Sequence, residues 1–304
     1  MYLVGVIVPT LNAGNLWSQW LDAVLSQTYP LHRKLVVDSS SDDDTVALAA
    51  AQGFETIVIA RQDFNHGGTR QLAAEHLADC ELLVFLTQDA LLATPDAISL
   101  LVGAFSNTQV SLAYGRQLPH KNAGVIGSHA RIFNYSTESI IKSRADIPRM
   151  GIKTTFCSDS FACYRRSDLL AIGGFKGELI LGEDAQVAAR FVLTGQQIAY
   201  VADAQVYHSH DYTVAQDFKR YFDIGVFHAQ EAVIFSQFGG ATGEGLRFLK
   251  SELHYVGRHA PLLVLSVIIR TFAKYLAYKI GQRQHFLPLA LKRRFSMHRR
   301  YWQS

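Results

Sequence analysis

The sequence predicts an α/β protein: a Rossmann-like, mostly parallel sheet flanked by helices, followed by a basic helical extension. Three observations carry this. Short apolar runs alternate with segments of helical period through the first hundred residues, and three of those runs stop abruptly at Pro9-Thr10, Asp38 and Asp89. Beyond Glu252 every ionisable acid disappears while Lys and Arg continue. Polar groups at the carboxyl ends of parallel strands lie where a doubly wound sheet holds its ligands.

Residues 4–8 (VGVIV) are a β-branched strand closed by Pro9-Thr10, and residues 17–25 carry apolar side chains at helical spacing. The next strand, 35–37, ends on Asp38, after which small polar residues cap a helix over 46–51. A third strand, 56–60, leads to Asp63-Phe64-Asn65-His66-Gly67-Gly68-Thr69-Arg70 and an Ala-rich helix over 71–77. The paired glycines would let the backbone approach a ligand closely, with Arg70 in the first turn of that helix. A buried strand over 84–86 then halts at Thr87-Gln88-Asp89-Ala90, and a helix covers 96–105.

The second half opens with a strand over 111–114 and a turn at Gly115-Arg116-Gln117-Leu118-Pro119. Residues 120–149 show no clear period and read as a long loop with a helical piece. A strand over 161–164 and the turn Gly173-Gly174-Phe175 follow. Gly182-Glu183-Asp184 then opens a helix to 193, and an alternating strand over 198–207 ends in His208-Ser209-His210-Asp211.

Of the 304 residues 49% are hydrophobic, enough for a sizeable core. Cys80, Cys157 and Cys163 are too few and too irregularly spaced for a disulfide framework, and residues 1–5 do not begin a signal peptide, so a cytosolic protein is expected. No G-x-G-x-x-G follows the first strand and no G-x-x-x-x-G-K occurs, which excludes the dinucleotide fingerprint and the P-loop. Phosphate charge must be met another way. A divalent cation, Mg²⁺ or Mn²⁺, held by Asp89 is the economical answer.

Val8-Pro9-Thr10-Leu11-Asn12, Ser26-Gln27-Thr28-Tyr29-Pro30, Val37-Asp38 with Ser41-Asp42-Asp43-Asp44-Thr45, and Gly173-Gly174-Phe175 with Gly182-Glu183-Asp184 occur in order. With these, residues 3–230 resemble the inverting family 2 glycosyltransferases of the GT-A fold. The segments 63–70, 86–90 and 207–212 more narrowly resemble bacterial rhamnosyltransferases that build O-antigen on a lipid carrier. The resemblance implies dTDP-β-L-rhamnose as donor, a lipid-linked (polyprenyl diphosphate) oligosaccharide as acceptor, and an α-L-rhamnoside as product. Thr87-Gln88-Asp89 keeps only the last carboxylate of the family's D-x-D metal motif.

It also implies roles. Asp184 is the general base, with Glu183 beside it orienting the acceptor. Asp89 bridges metal and diphosphate, His208 is a second ligand in place of the missing carboxylate, and His210 is a reserve candidate. Asp38 accepts from the N3 imide of the base, Arg70 approaches base or diphosphate, and Pro9, Thr10, Asn12 and Gln88 complete the nucleotide site. Arg116 and Gln117 touch sugar or acceptor. Plainer readings stand beside these: Glu183 and Asp184 as helix-start carboxylates, Asp38 as a cap, Asp89 as a strand-end turn residue, His208 as a hydrogen-bonded histidine. A UDP-linked donor, nucleotidyl transfer and a non-catalytic sugar-nucleotide module remain as other functions.

The expected organisation is a catalytic domain over 1–240, with a nucleotide half (1–95) and an acceptor half (96–240), and a basic amphipathic region over 241–304. Ten of the 29 basic residues and none of the 26 acids follow Glu252, so the body carries −7 although the whole chain is +3. Residues 262–269 are eight apolar positions before Arg270, short of the about 20 that cross a bilayer. The tail therefore suits the inner face of the cytoplasmic membrane, as a peripheral surface or a seat for a lipid-linked diphosphate. Packing on the catalytic domain or on a second protomer is the alternative, and no motif supports nucleic acid.

Overall fold

The computed structural model describes residues 1–239 and 243–303, so the boundary expected at 240/241 lies outside the described residues. In chain order the elements are β1 (Val4–Thr10), α1 (Trp17–Leu25), β2 (Arg33–Asp38), α2 (Thr45–Ala51), β3 (Glu55–Val58), α3 (His66–His76) and β4 (Leu82–Leu86). Then come β5 (Leu91–Leu92), α4 (Ala97–Gly103), β6 (Val110–Leu118), α5 (Val125–Asn134), β7 (Ile140–Lys142), α6 (Ile147–Met150), β8 (Phe161–Arg165) and α7 (Arg166–Ala171). The remainder is α8 (Glu183–Leu193), β9 (Gln197–Tyr207), α9 (Val214–Gln230), α10 (Ala232–Phe235), α11 (Glu244–His259), α12 (Val264–Gln282) and α13 (Leu289–Phe295).

The strands form one sheet in the order β3-β2-β1-β4-β8-β6-β9-β5, with β7 also on β9. β1, β2, β3 and β4 are parallel, β8 runs against β4 and β6, and β6 is again parallel to β9. Both faces are covered, because the strands alternate between two cores. Ile7, Leu35, Val37 and Phe85 face α3 and α8, while Val4, Val6, Val8 and Val36 face Trp17 and Trp20 of α1.

Four expectations are corrected. β6 runs on through 115–118 where a turn was expected; its register shifts between Gly115 and Arg116, and a Cβ on Gly115 would collide with the Phe161 ring and the Ala204 carbonyl. Glycine there serves close strand packing. The stretch 120–149 holds the expected helical piece as α5, but it also holds the strand β7, which the loop reading missed. The expected basic helical extension is not helical to its end: α13 stops at Phe295, and the buried Ser296, in extended conformation, separates it from a short turn at 299–303.

Lastly, α12 is continuous through Arg270, and with its lead-in turn Pro261–Gln282 is long and apolar enough to cross a membrane. Arg270 does not interrupt it because its guanidinium turns to Asp217 of α9 at 2.6 Å. The C-terminal helices join the main core, where Ala277 and Trp302 pack with Phe222 and Val226.

Candidate active site

β1 and β2 pair with Thr10 beside Asp38, so their loops meet at one sheet edge. Asp38, expected on the base, is fully buried and satisfied within the protein. It accepts from Thr10 Oγ1 (2.7 Å), Ser41 Oγ (2.6 Å) and the Ser41 N–H (2.7 Å). The loop folds back over it, which makes it a turn anchor. Asn12, at φ 48, accepts from the Asp42 N–H at 2.8 Å, and Gln88 accepts from the Leu11 N–H at 2.8 Å while donating to its carbonyl. Thr10, Asn12 and Gln88 thus fasten the loops into a wall, with Pro9 half-buried behind them.

Arg70 is likewise turned inward. It is buried, pairs with Glu183 and Asp159 at 2.9 Å each, and donates to the His66 carbonyl at 3.0 Å, so it does not reach a base or diphosphate. The cause is that α3 begins at His66, earlier than its apolar pattern predicts, with Asn65 accepting from the Gly68 N–H at its start. A Cβ on Gly67 would collide with the Lys176 carbonyl, so the glycine pair admits the 173–177 turn and not a ligand.

Around Arg70 three carboxylates converge at the start of α8. Glu183 is buried beside the guanidinium, which with His66 outweighs burial and holds its carboxyl below the usual value. Asp184 is half-buried, accepting from its neighbour Ala185 N–H at 2.7 Å and from the Asp159 N–H at 3.3 Å. Burial raises its carboxyl, and the charge of Glu183 raises it further. Asp159 is also raised by burial, against the pull of Arg70, and accepts from Tyr164 Oη at 2.5 Å. No motif marks Asp159 in the sequence; it arrives because residues 157–160 lead into β8.

The second cluster is assembled by register. β5 runs against β9 with Leu91 opposite Tyr207, so Asp89 just before β5 meets His208 and His210 just after β9. Asp89 Oδ2 lies 3.4 Å from His208 Nε2 and 3.7 Å from His210 Nε2, and one ligand atom from each residue fits within 4.8 Å. Two imidazoles and a carboxylate suit a borderline cation better than a hard one. Burial, then the neighbouring His208, pushes His210 down to about 4, and the two histidines hold Asp89 below the usual carboxylate range against its burial. A neutral His210 imidazole and an ionised Asp89 carboxylate are states that bind metal.

Gln117, expected on the sugar, is buried behind this cluster. Its Oε1 accepts from His208 Nδ1 at 2.9 Å and from Arg131 Nη1 at 2.6 Å, which turns His208 Nε2 toward Asp89. Its Nε2 donates to Ser158 Oγ at 2.9 Å. Gln117 therefore ties His208 to Ser158, whose neighbour Asp159 donates its N–H to Asp184. Arg116 is half-buried on β6 opposite Gln205 and its Nε has no hydrogen-bond partner.

Residues 5–173 match the family described as glycosyl transferase family 2. The chain is 48% identical over 302 residues to the O-antigen chain rhamnosyltransferase RfbN of Salmonella typhimurium, covering 99% of this chain and 96% of that one. It is 47% identical over 300 residues to the O-antigen chain rhamnosyltransferase WbaN of Salmonella anatum, covering 98% and 95%. Among solved structures it resembles the mannosyltransferase PcManGT from Pyrobaculum calidifontis in complex with GDP-Man and Mn²⁺, with TM-score 0.62, 19% identity and coverage of 93% and 86%. It also resembles S. aureus TarS 1-349 in complex with UDP-GlcNAc, with TM-score 0.57, 13% identity and coverage of 93% and 91%.

Proposed function

This chain belongs to glycosyl transferase family 2, with the expected GT-A fold, and from that premise we propose that it transfers L-rhamnose from dTDP-rhamnose to a lipid-linked O-antigen precursor with inversion. It is a glycosyltransferase, and the rhamnose and O-antigen parts of the reading rest on its likeness to RfbN and WbaN over nearly the whole of each chain. The observation that carries the chemistry is Asp184, a carboxylate of raised proton affinity that accepts from the Asp159 N–H, next in the chain to Ser158, which Gln117 ties to His208 of the candidate cation set.

Asp184 takes the proton from the acceptor hydroxyl as that oxygen bonds to the sugar C1 from the face opposite the diphosphate. The C1–O bond to phosphate breaks and the electron pair leaves with dTDP, so configuration inverts. A raised carboxyl suits this task, because a base of ordinary affinity would take the proton weakly at neutral pH. Glu183, locked to Arg70, acts by holding negative charge beside Asp184 and not by touching the acceptor. Asp89, His208 and His210 would hold a divalent cation, Mn²⁺ in preference to Mg²⁺ given the two nitrogens, which would neutralise charge on the leaving diphosphate. The work takes place at the cytoplasmic face of the membrane, where the basic tail meets anionic lipid.

The test is Asp184→Asn with dTDP-rhamnose and a lipid-linked acceptor. Transfer should fall at least about a hundredfold, while the rise in melting temperature on adding dTDP and Mn²⁺ stays as in the wild type. Full transfer by the variant removes Asp184 as base. A wild-type protein stabilised by UDP but not dTDP removes rhamnose.

A further inference from the structure

A cavity of about 630 Å³ opens beside His210, between the N-terminus of α5, the start of α9, α11 and α12. Its charges are unevenly committed. Asp217 is taken by Arg270 at 2.6 Å and Lys274 at 3.8 Å, Asp211 accepts from the Gly124 N–H at 2.8 Å, and burial raises the Glu252 carboxyl. Arg220 and Arg131 take part in none of the ion pairs among the described residues. Arg131 donates to the neutral Gln117, whereas Arg220 is exposed, its guanidinium 5.8 Å from the centre of the Tyr212 ring, which in turn stacks on His210. One exposed cation, unpaired among the described residues, thus stands at the end of a stack that begins at the cation set.

The wall of this cavity continues into a surface of different chemistry. α12 carries Ser266, Arg270 and Lys274 toward the cavity at four-residue spacing, and buries Val267, Ala277 and Gly281. Its third face is apolar and exposed: Leu262 (95%), Leu265 (67%), Phe272 (67%) and Tyr275 (61%) follow one another at intervals that keep them on one side. Arg258, Lys279 and Arg283 are exposed toward its ends, and no acid follows Glu252. An apolar stripe flanked by cations matches the interface of an anionic leaflet.

We propose that this cavity takes the diphosphate of a polyprenyl diphosphate-linked acceptor, with Arg220 as its main phosphate ligand, and that the outer stripe of α12 lies in the bilayer. The polyprenyl chain then passes from the cavity into lipid without crossing water, and the first sugar faces His210. This rests on the reading of the protein as a transferase to a lipid-linked acceptor; what it adds is the residues that grip the carrier.

The probe is farnesyl diphosphate, titrated calorimetrically into the full chain with chelator present so that metal does not recruit it. It should bind saturably, more tightly than inorganic pyrophosphate or farnesol alone, and dTDP should not displace it. Arg220→Gln should weaken it about tenfold, the loss of one charge-assisted contact. Unaltered affinity in that variant, or displacement by dTDP, overturns the assignment. For the membrane half, the double variant Leu265→Asp, Phe272→Asp should no longer co-sediment with phosphatidylethanolamine vesicles containing phosphatidylglycerol, while its stabilisation by dTDP shows that it is folded. Co-sedimentation equal to the wild type overturns that half. Should the wild type transfer rhamnose to no lipid-linked acceptor, the function itself fails; should it transfer while Arg220→Gln has the wild-type KM for that acceptor, only this inference does.

Discussion

Glu183 and Asp184 are adjacent in the chain yet their carboxyls shift in opposite directions, because Arg70 reaches the first more closely than the second. Removing the charge of Glu183 should therefore lower the Asp184 carboxyl. A base works only when ionised, so the rate is lost as pH falls through its titration, and a raised carboxyl places that acidic limb above the ordinary 3.8. Glu183→Gln should move the limb of kcat/KM to lower pH by roughly half a unit or more, with Arg70 still paired to Asp159. A limb that stays in place would show that burial alone sets it. Gln117 offers a second test, since it touches His208 and not the cation position. Gln117→Leu should weaken Mn²⁺ binding by roughly 10- to 100-fold, read by titrating Mn²⁺ against melting temperature, and leave dTDP binding in chelator unchanged. At this scale the sequence marked candidate residues but not which way they face. Asp38, Arg70 and Gln117 sit in motifs that resemble a ligand site, and all three are buried among protein partners, some local, such as Ser41 on Asp38, and some distant, such as Glu183 on Arg70 and His208 on Gln117.

Among the elements, α9 joins the C-terminal helices to the main core through Phe222 and Val226. It starts with a capping box, Thr213 and Gln216, and packs along α12 at Gly225 and Gly281. A Cβ on Gly225 would collide with the Tyr278 carbonyl, and one on Gly281 with the Phe222 carbonyl. Gly225→Ala should thus force two helix backbones apart at a cost of about 1–3 kcal/mol, seen as a melting temperature several degrees lower. An unshifted melting temperature would mean that α12 does not dock as described. Legibility followed local consistency. β1, α1, β4 and α8 were readable because their apolar spacing and end signals agree. The bounds of α5, and β7 altogether, were not, since α5 mixes Gly, Ser and β-branched residues and is fixed by its packing on α11 and β6.

For the molecule as a whole, the tail is tied to the body by a carboxylate. Asp223 of α9 is fully buried and accepts from the Met297 N–H at 2.8 Å, and burial pushes its carboxyl up to about 6 from 3.8. The native state therefore binds more protons than the unfolded chain between those values. This contribution is whole below about pH 4 and is lost as pH rises through 6, an effect on the order of 2–3 kcal/mol. Asp223→Asn keeps an acceptor for Met297 and should flatten the decline in melting temperature between pH 4 and 7; a decline as steep as the wild type's would place its source elsewhere. By itself the sequence determined the α/β platform, the family, the strand-end positions of Asp89 and His208, and the charge split between body and tail, since each is written in local spacing or composition. Only the tertiary structure decided that Asp159 joins Asp184, that Gln117 aims His208, that Arg270 turns inward and that Arg220 pairs with no acid among the described residues. Those depend on strand register and helix docking, where partners far apart in the chain compete for the same polar groups, and no local pattern records which of them wins.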